Sequence, residues 1–369
     1  MKRIIKTKMI YVLIAFLVLS INPIIAQISD VGKFLTGGAN DAGKILGAYI
    51  KPFSNAFGYS LNAGWYNTAK VHSLLGFDVT LTFNVAVIPT ADKTFDVKAL
   101  GLSSNANVSS PSIAQTMAGK TGSGPAITYT DASNHRIISY NTPGGIDLGF
   151  VPVPMIQVGL GLIKGTEIIG RFMPTVSIGT DGGTKIGMWG IGLKHSIKQW
   201  IPAIDDIPFL NISVMAGYSR LHFVSDLSLK PNNVIFQLDT SIHFTDSAKN
   251  MNFATQQLDF MVKSFTANAL ISLDFPFITL YGGIGISSTS TDFKMMGNYI
   301  MPQYNVSLNR VEVSSKEVKT DPNTITLKGG TKPRLNIGFK LKLGLFAINA
   351  DYTYANYSIA TVGIGIGFR

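Results

Sequence analysis

The sequence predicts an all-β protein, a transmembrane antiparallel up-and-down β-barrel of about 12–14 strands with a short N-terminal plug-like or helical segment. Three observations carry that prediction. The last thirty-odd residues alternate strictly between apolar and polar or small side chains. Charged residues are only 14 % of the chain, against roughly 25 % in soluble proteins. Beyond the N-terminus no run of about twenty apolar residues remains to form a spanning helix. A barrel hides its hydrophobicity in alternation, whereas an ordinary antiparallel sandwich with one wet face is the alternative reading.

The N-terminus reads as an export signal over residues 1–26. Lys2, Arg3, Lys6 and Lys8 form its positive region, residues 9–19 its apolar core, and Ile24, Ile25 and Ala26 precede a cut before Gln27. Its loss removes four of the 31 basic residues and none of the 21 acidic ones, leaving a net charge of +6. That mild excess is spread along the chain without aromatic-punctuated basic runs, so nucleic acid is not an expected partner. The chain has no cysteine, which excludes disulfides, thiolate metal sites and a cysteine nucleophile.

Residues 27–56 are small, glycine-rich and weakly helical, and are expected to lie in the periplasm or in the lumen as a plug. Gly38 to Lys44 fits most of a phosphate-binding loop, but Ile45 stands where the magnesium-binding Ser or Thr belongs. The barrel is expected to occupy 57–369. A first strand is read at 57–66, with Phe57, Tyr59, Leu61, Ala63 and Trp65 facing outward. A second, at 74–88, sends Phe77, Val79, Leu81 and Phe83 outward and Asp78, Thr80, Thr82 and Asn84 inward. After a turn at 89–93 a third is read at 94–102. Residues 103–150 read as a long loop that could hide a hairpin around 127–140. Strands follow at 151–163, 166–178, 185–195 and 209–222, with a short interfacial helix in 196–208. Two more, at 255–273 and 277–290, flank the turn at 274–276, and a second long polar segment fills 291–332.

The final trio fixes its own register. A turn at Gly344 and Leu345 sets Leu343 opposite Phe346, Leu341 opposite Ile348 and Phe339 opposite Ala350. A loop at 356–358 is expected to set Tyr352 opposite Val362, Ile348 opposite Ile366 and Phe346 opposite Phe368. The chain's end one residue past an aromatic resembles the C-terminal signature of bacterial outer-membrane barrels, which implies recognition by the barrel-assembly machinery and a place in the bacterial outer membrane, with its lipid as a partner.

Parity assigns a lumen-lining set: Asn62, Asp78, Thr80, Asn84, Glu167, Arg171, Arg334, Lys340, Lys342 and Asp351. Lys340 is diagonal to Asp351, and Glu167 and Arg171 share one face of one strand. Such a set either tunes what passes, or fills a narrow barrel with ion pairs or contacts the N-terminal segment. Trp65, Tyr218, Phe346, Tyr354 and Phe368 near predicted strand ends suit an interfacial aromatic girdle, as do Phe53, Phe57, Tyr66, Phe223 and Tyr357. The five histidines have no metal-ligand spacing, so neither metal nor cofactor is expected. His222 and Asp226 near the outer rim would need a third group to hydrolyse anything, and catalysis is not expected. The Gly-x-Gly repeats lack the dinucleotide spacing and read as small inward residues that leave lumen space.

The block YIKPFSNAFGYSLNAGWYNTAK at 49–70, followed by LLGFDVTLTFNVAVIP, resembles a family of uncharacterised outer-membrane barrels from Bacteroidota. That resemblance implies a fold and an address but no activity. More loosely, Asp41, Ala42 and Gly43 ahead of the first strand are similar to the hatch of long-chain fatty-acid transporters. That implies fourteen strands and passage of hydrophobic molecules, although Lys51-Pro52-Phe53 stands where that family has Asn-Pro-Ala. The functional expectation is a channel or transporter for small solutes, hydrophobic ones included. The alternative is a structural or interaction barrel whose outer loops bind a partner or surface.

Overall fold

The computed structural model describes residues 39–130, 136–178, 183–226, 242–300, 303–305, 307, 310–316 and 318–368. The expected export signal and the first part of the plug-like segment lie outside them. Ten antiparallel strands close a barrel in simple chain order. They are β1 (Phe77–Val87), β2 (Phe150–Gly161), β3 (Thr166–Ile178), β4 (Thr184–Ser196), β5 (Leu210–Asp226), β6 (Gln257–Asp274), β7 (Ile278–Met296), β8 (Asn323–Leu343), β9 (Phe346–Tyr354) and β10 (Ile359–Phe368). The first and last strands zip together, from Phe77 opposite Phe368 to Ala86 opposite Ile359.

Alternation places the apolar set on the outside. Phe77, Ile337 and Ile364 are 42, 70 and 54 % exposed, while Asp78, Thr80, Thr82 and Asn84 of β1 are buried within. An apolar outer face around a closed sheet is the lipid-facing geometry, because closure leaves no unpaired backbone in hydrocarbon. No described helix is long and apolar enough to cross a bilayer. On β5 the outward series Ile212, Val214, Ala216, Tyr218 gives way to Arg220 and His222. On β6 and β7 the outward Lys263 and Asp292 bridge at 2.7 Å. The apolar belt therefore ends near Tyr218, and β5–β8, at 17 to 21 residues, stand above it as a tall wall. The other six strands have 9 to 13 residues. Above Leu335, β8 keeps its ladder with β7, bulged at Thr289/Ser290, but no longer pairs with the shorter β9.

Ten strands stand where twelve to fourteen were expected, and two readings account for the difference. Residues 57–66 are not a strand. They are the end of a 24-residue helix, α1 (Ala39–Asn62), and the segment below it, both inside the barrel. Ala42, Ile45, Leu46, Tyr49, Ile50, Phe53 and Ala56 recur at helical spacing, and the surrounding wall buries α1 on nearly every side. Residues 94–102 form a three-residue strand and a 3-10 turn within the 88–149 connection. The 89–93 turn consequently opens that long connection and is not a short turn at the opposite end. The hairpin near 127–140 exists, pairing Ala126–Thr130 with Arg136–Asn141, but it belongs to a small sheet outside the barrel.

The β8–β9 register is the expected one, with Leu343 opposite Phe346 and Phe339 opposite Ala350. Between β9 and β10 it is displaced by two residues: Phe346 meets Ile366, Ile348 meets Ile364 and Ala350 meets Val362. A two-residue displacement preserves every side chain's face, so patterning alone cannot detect it. The short connections at 162–165, 275–277 and 344–345, with the Pro202–Asp205 helical turn in another, mark one end, the turn end. The connection 88–149 marks the other, the loop end.

At the loop end that connection folds over α1. Ile127, Met117, Tyr129 and Tyr140 join the upper half of the helix and Leu258, Phe260 and Phe293 of the tall wall in one apolar cluster. Pro52 interrupts the helix ladder, since it has no N–H to donate. The carbonyl it leaves without a helical donor is that of Ala48; one residue on, the Tyr49 carbonyl accepts from the Met117 amide at 2.9 Å. Asp41 accepts from the Ser103 amide at 3.0 Å and from the Tyr129 phenol at 3.3 Å. Burial pushes that phenol well above its ordinary pKa, so it stays a donor.

Candidate functional site inside the barrel

The lower half of the lumen is organised by the end of α1. The last carbonyls of any helix lack intrahelical partners and carry its partial negative charge. Here wall side chains supply both donors and positive charge. Arg171 of β3 donates to the carbonyls of Leu61 at 3.1 Å and Ala63 at 2.9 Å. Asn84 of β1 donates to those of Ser60 at 2.7 Å and Ala63 at 3.1 Å. Arg334 of β8 donates to the carbonyl of Asn62 and, at 3.2 Å, to Thr266 and Thr353. Two arginines from opposite parts of the wall thus cap one helix. Arg171 is fixed from behind by Gln157 at 2.7 Å.

Trp65 lies directly below. Its ring centroid is 3.8 Å from the Arg171 guanidinium carbon, a cation–π contact, and its indole N–H donates to the Leu61 carbonyl at 3.2 Å. Space for the ring comes from Gly192 on β4 and Gly217 on β5, which face each other in the ladder. A Cβ on either would come within 2.7 Å of the indole. Trp65 is 1 % exposed, which corrects its assignment to the girdle. Phe53, Tyr66 and Tyr357 are also buried inside, because the residues that carry them are not on lipid-facing strand positions. Phe346, Tyr354 and Phe368 lie on the outer face, 60, 68 and 64 % exposed. Tyr218 faces outward against Trp189, with ring centroids 5.8 Å apart.

Below Trp65, three further clusters hold the chain to the wall. Tyr66 packs edge-on to Tyr281, whose hydroxyl donates to Asp351 at 3.1 Å. Asn336 donates to the same carboxylate at 2.7 Å. Glu167 receives Lys194 at 3.0 Å and both the ring and the amide of His72, at 2.8 and 3.1 Å. Thr68, Asn211, Ser272 and Thr279 all donate to Asp274 at the turn end.

The lumen-lining set is thus distributed as follows. Asn62 sits on the last turn of α1 and donates to the Ser288 carbonyl at 3.3 Å, so it belongs to the plug and not to a wall strand. Asp78, Thr80, Asn84, Glu167, Arg171, Arg334, Lys340 and Asp351 are buried wall residues, and Lys342 is half-buried at the turn end. Lys340 is diagonal to Asp351 but donates to Asn67 at 3.0 Å. Glu167 and Arg171 share a face yet serve different partners. His72 was missed in the sequence because its partner Glu167 is 95 positions away and no spacing links them.

His72, Asp78 and Glu167 offer ligand atoms within 4.8 Å of one another. The two imidazole nitrogens address different carboxylates, Nδ1 to Glu167 and Nε2 to Asp78 at 3.6 Å, and Lys194 already neutralises Glu167. A metal cage would converge on one point, so this cluster fits an ion-paired staple better than a metal centre. On the outer wall His222 lies 3.1 Å from Asp259, whereas Asp226 accepts from Gln257.

The fold and this interior define an all-β transmembrane barrel with its own helix as a plug. The chain belongs to a family of unknown function, DUF6588, whose model matches residues 1–368. No curated protein matches the chain. Among solved structures it is similar to the attachment invasion locus protein Ail of Yersinia pestis, with 8 % identity, 80 % of this chain and 98 % of that one covered, and a TM-score of 0.26. The translocator domain of the autotransporter NalP from Neisseria meningitidis gives 10 %, 81 %, 90 % and 0.29. The transport unit of AIDA-I from Escherichia coli gives 9 %, 86 %, 99 % and 0.29. At these values the likeness carries no functional inference.

Proposed function

We propose that the protein is a bacterial outer-membrane barrel acting as a gated passage for small solutes, with residues 39–76 as the gate. The observation that carries this reading is the pair of cavities on either side of one sealing layer. At the loop end a groove of about 660 Å3 opens between α1 and the free upper edge of β8, lined by Gly47, Ala48, Leu100, Ile325 and Leu327 with Lys44 and Lys51. At the turn end lies a cavity of about 360 Å3. Between them stands the layer of Trp65, Arg171, Arg334, Tyr66 and Asp351. Its contacts are charge-assisted hydrogen bonds from the two guanidinium groups, worth about 1.5–3 kcal/mol each, beside the Arg171–Trp65 cation–π contact and the Tyr66–Tyr281 ring contact. Among the described residues, Asn62 Oδ1, Tyr66 Oη and Arg334 Nε in this layer are buried without a hydrogen-bond partner, which raises the energy of the closed state. The outer groove sets Leu100, Ile325 and Leu327 beside Lys44, Lys51, Lys328 and Thr324, a mixed lining that accommodates polar as well as hydrophobic solutes.

Liposome swelling tests this. The full chain should pass small sugars slowly, and a variant lacking residues 39–62 should pass them at porin-like rates. A folded deletion variant that remains sealed would sink the proposal. A second reading, a barrel that presents an interaction surface, is favoured by one specific observation. The tall wall and the 88–149 connection share a packed apolar cluster, which gives the loop end a defined shape. Under either reading, outer-membrane lipid contacts the belt and β10 carries the assembly signal.

A further inference from the structure

The turn-end cavity owes its space to the last strand. Gly365 and Gly367 are inward positions of β10 and line it without side chains. Lys340 and Lys342 from β8 and Lys70 from the segment below α1 line it as well, together with Asn67, Asn349 and Asp78. Lys340 is nine-tenths buried and donates to the neutral amide oxygen of Asn67 at 3.0 Å. Lys342 donates to the Phe275 carbonyl at 2.9 Å and lies 3.5 Å from Asp274. The one carboxylate on the lining, Asp78, accepts from Thr80 at 2.9 Å and faces His72 at 3.6 Å. Three ammonium groups therefore stand against two carboxylates, Asp78 on the lining and the Asp274 that pairs with Lys342, in a recess walled by backbone. The mouth is framed by Gly344, Leu345 and Phe368, so it opens at the turn end.

We propose that this cavity is a binding site for a small soluble polyanion, a phosphate or a di- or tricarboxylate, taken from the compartment on the turn side. A concave site with an excess of one sign of charge concentrates counter-ions, and lysine ammonium groups adapt to carboxylate or phosphate oxygens as point charges. A volume of about 360 Å3 is at the small end of ligand pockets. Among the described residues Arg171 and Arg334 hold helix carbonyls and Lys194 holds Glu167, away from this cavity. The site lies on the turn side of the Trp65 layer, so it fills whether or not the gate opens.

The test is calorimetric titration of the purified full chain in detergent with inorganic phosphate and with citrate at low salt. Saturable binding tighter than about 1 mM is expected for at least one of them, weakening as sodium chloride screens it. Lys340→Gln and Lys342→Gln should each weaken it by about tenfold, roughly the worth of one charge-assisted hydrogen bond. Lys164→Gln, on the exposed β2–β3 turn, should leave it unchanged. If a buried-lysine variant fails to fold, judged by heat-modifiable gel migration, Lys70→Gln on the exposed segment takes its place. No saturable binding of either anion, or binding indifferent to these lysines, overturns the proposal. So does binding confined to phosphatidylglycerol in nanodiscs, which would make the ligand a lipid headgroup.

Discussion

Above Gly58 the inside of the barrel is packed like a soluble core, and below Asn62 hydrogen bonds and ion pairs surround a smaller apolar cluster of Trp65, Tyr66, Ala69, Ile169, Met215, Leu270 and Tyr281. In the upper half Ile45, Leu46, Ile50 and Phe53 meet Ile127, Met117, Phe260 and Phe293. In the lower half Arg171, Arg334, Asn84, Glu167, Lys194 and Asp274 hold backbone carbonyls, an imidazole and a threonine. The difference is one of exchangeability. Apolar contacts have no substitute in water, at roughly 25 cal/mol per Å2, so the upper packing is a permanent part of the fold. The lower half has the smaller apolar cluster and more polar contacts, which water can replace in part, so it is the half where a plug can let go.

The largest effect should come from removing both helix caps. Arg171→Ala with Arg334→Ala removes the guanidinium donors from the carbonyls of Leu61, Asn62 and Ala63, each charge-assisted bond being worth about 1.5–3 kcal/mol, and leaves only Trp65 on Leu61 and Asn84 on Ala63. Swelling rates of proteoliposomes should rise severalfold while the barrel stays folded. Unchanged rates would mean the upper packing alone keeps the lumen shut. Next, Leu46→Ala should cost about 2–5 kcal/mol through the cavity it leaves, read as a lowered thermal or denaturant midpoint. It should leave swelling unaltered, and a leak in this variant would erase the distinction between the halves. Gly217→Ala is smaller, about 1–3 kcal/mol of overpacking, because its Cβ meets the Trp65 ring. Trp189 lies on the lipid-facing side and Trp200 is exposed, so in a Trp189→Phe, Trp200→Phe background a change in tryptophan emission reports Trp65 alone. Tyr59→Phe should be the mildest. Its ring stacks on Tyr357 at 5.6 Å, but its buried hydroxyl has no hydrogen-bond partner among the described residues. Stability within about 0.5 kcal/mol of wild type, or slightly above it, is expected in the same unfolding assay.

Much of the wall was legible in the sequence because lipid makes a simple demand on every second residue. Phe77, Val79, Leu81 and Phe83 answer it, as do Ile337, Phe339 and Leu341, and the Gly344-Leu345 turn then sets the register. The interior was harder to read. A helix enclosed by a wall shows only a narrow polar stripe, Asn40, Lys44, Lys51 and Asn55 along the groove, and Phe57, Tyr59, Leu61, Ala63 and Trp65 happen to alternate as a strand would. Above the belt the demand lapses: Thr324, Thr326 and Lys328 face water on β8 while Ile325 and Leu327 face α1, so the stretch reads as a polar loop. The helix caps join residues more than a hundred positions apart, Arg171 to Leu61 and Arg334 to Asn62, and no local spacing hints at them.

Because β9 is short, the upper part of β8 ends the tall wall as a bare ribbon of amide and carbonyl groups. Such a rim invites a stranger's strand to add itself and so seed sheet growth between molecules. The local chemistry discourages this. Pro333 withholds a donor at the base of the rim, the kink at Gly329 and Gly330 twists it out of plane, and Lys328 and Lys332 repel an identical copy. A side opening can therefore persist in a crowded membrane without turning each barrel into a template for its neighbour.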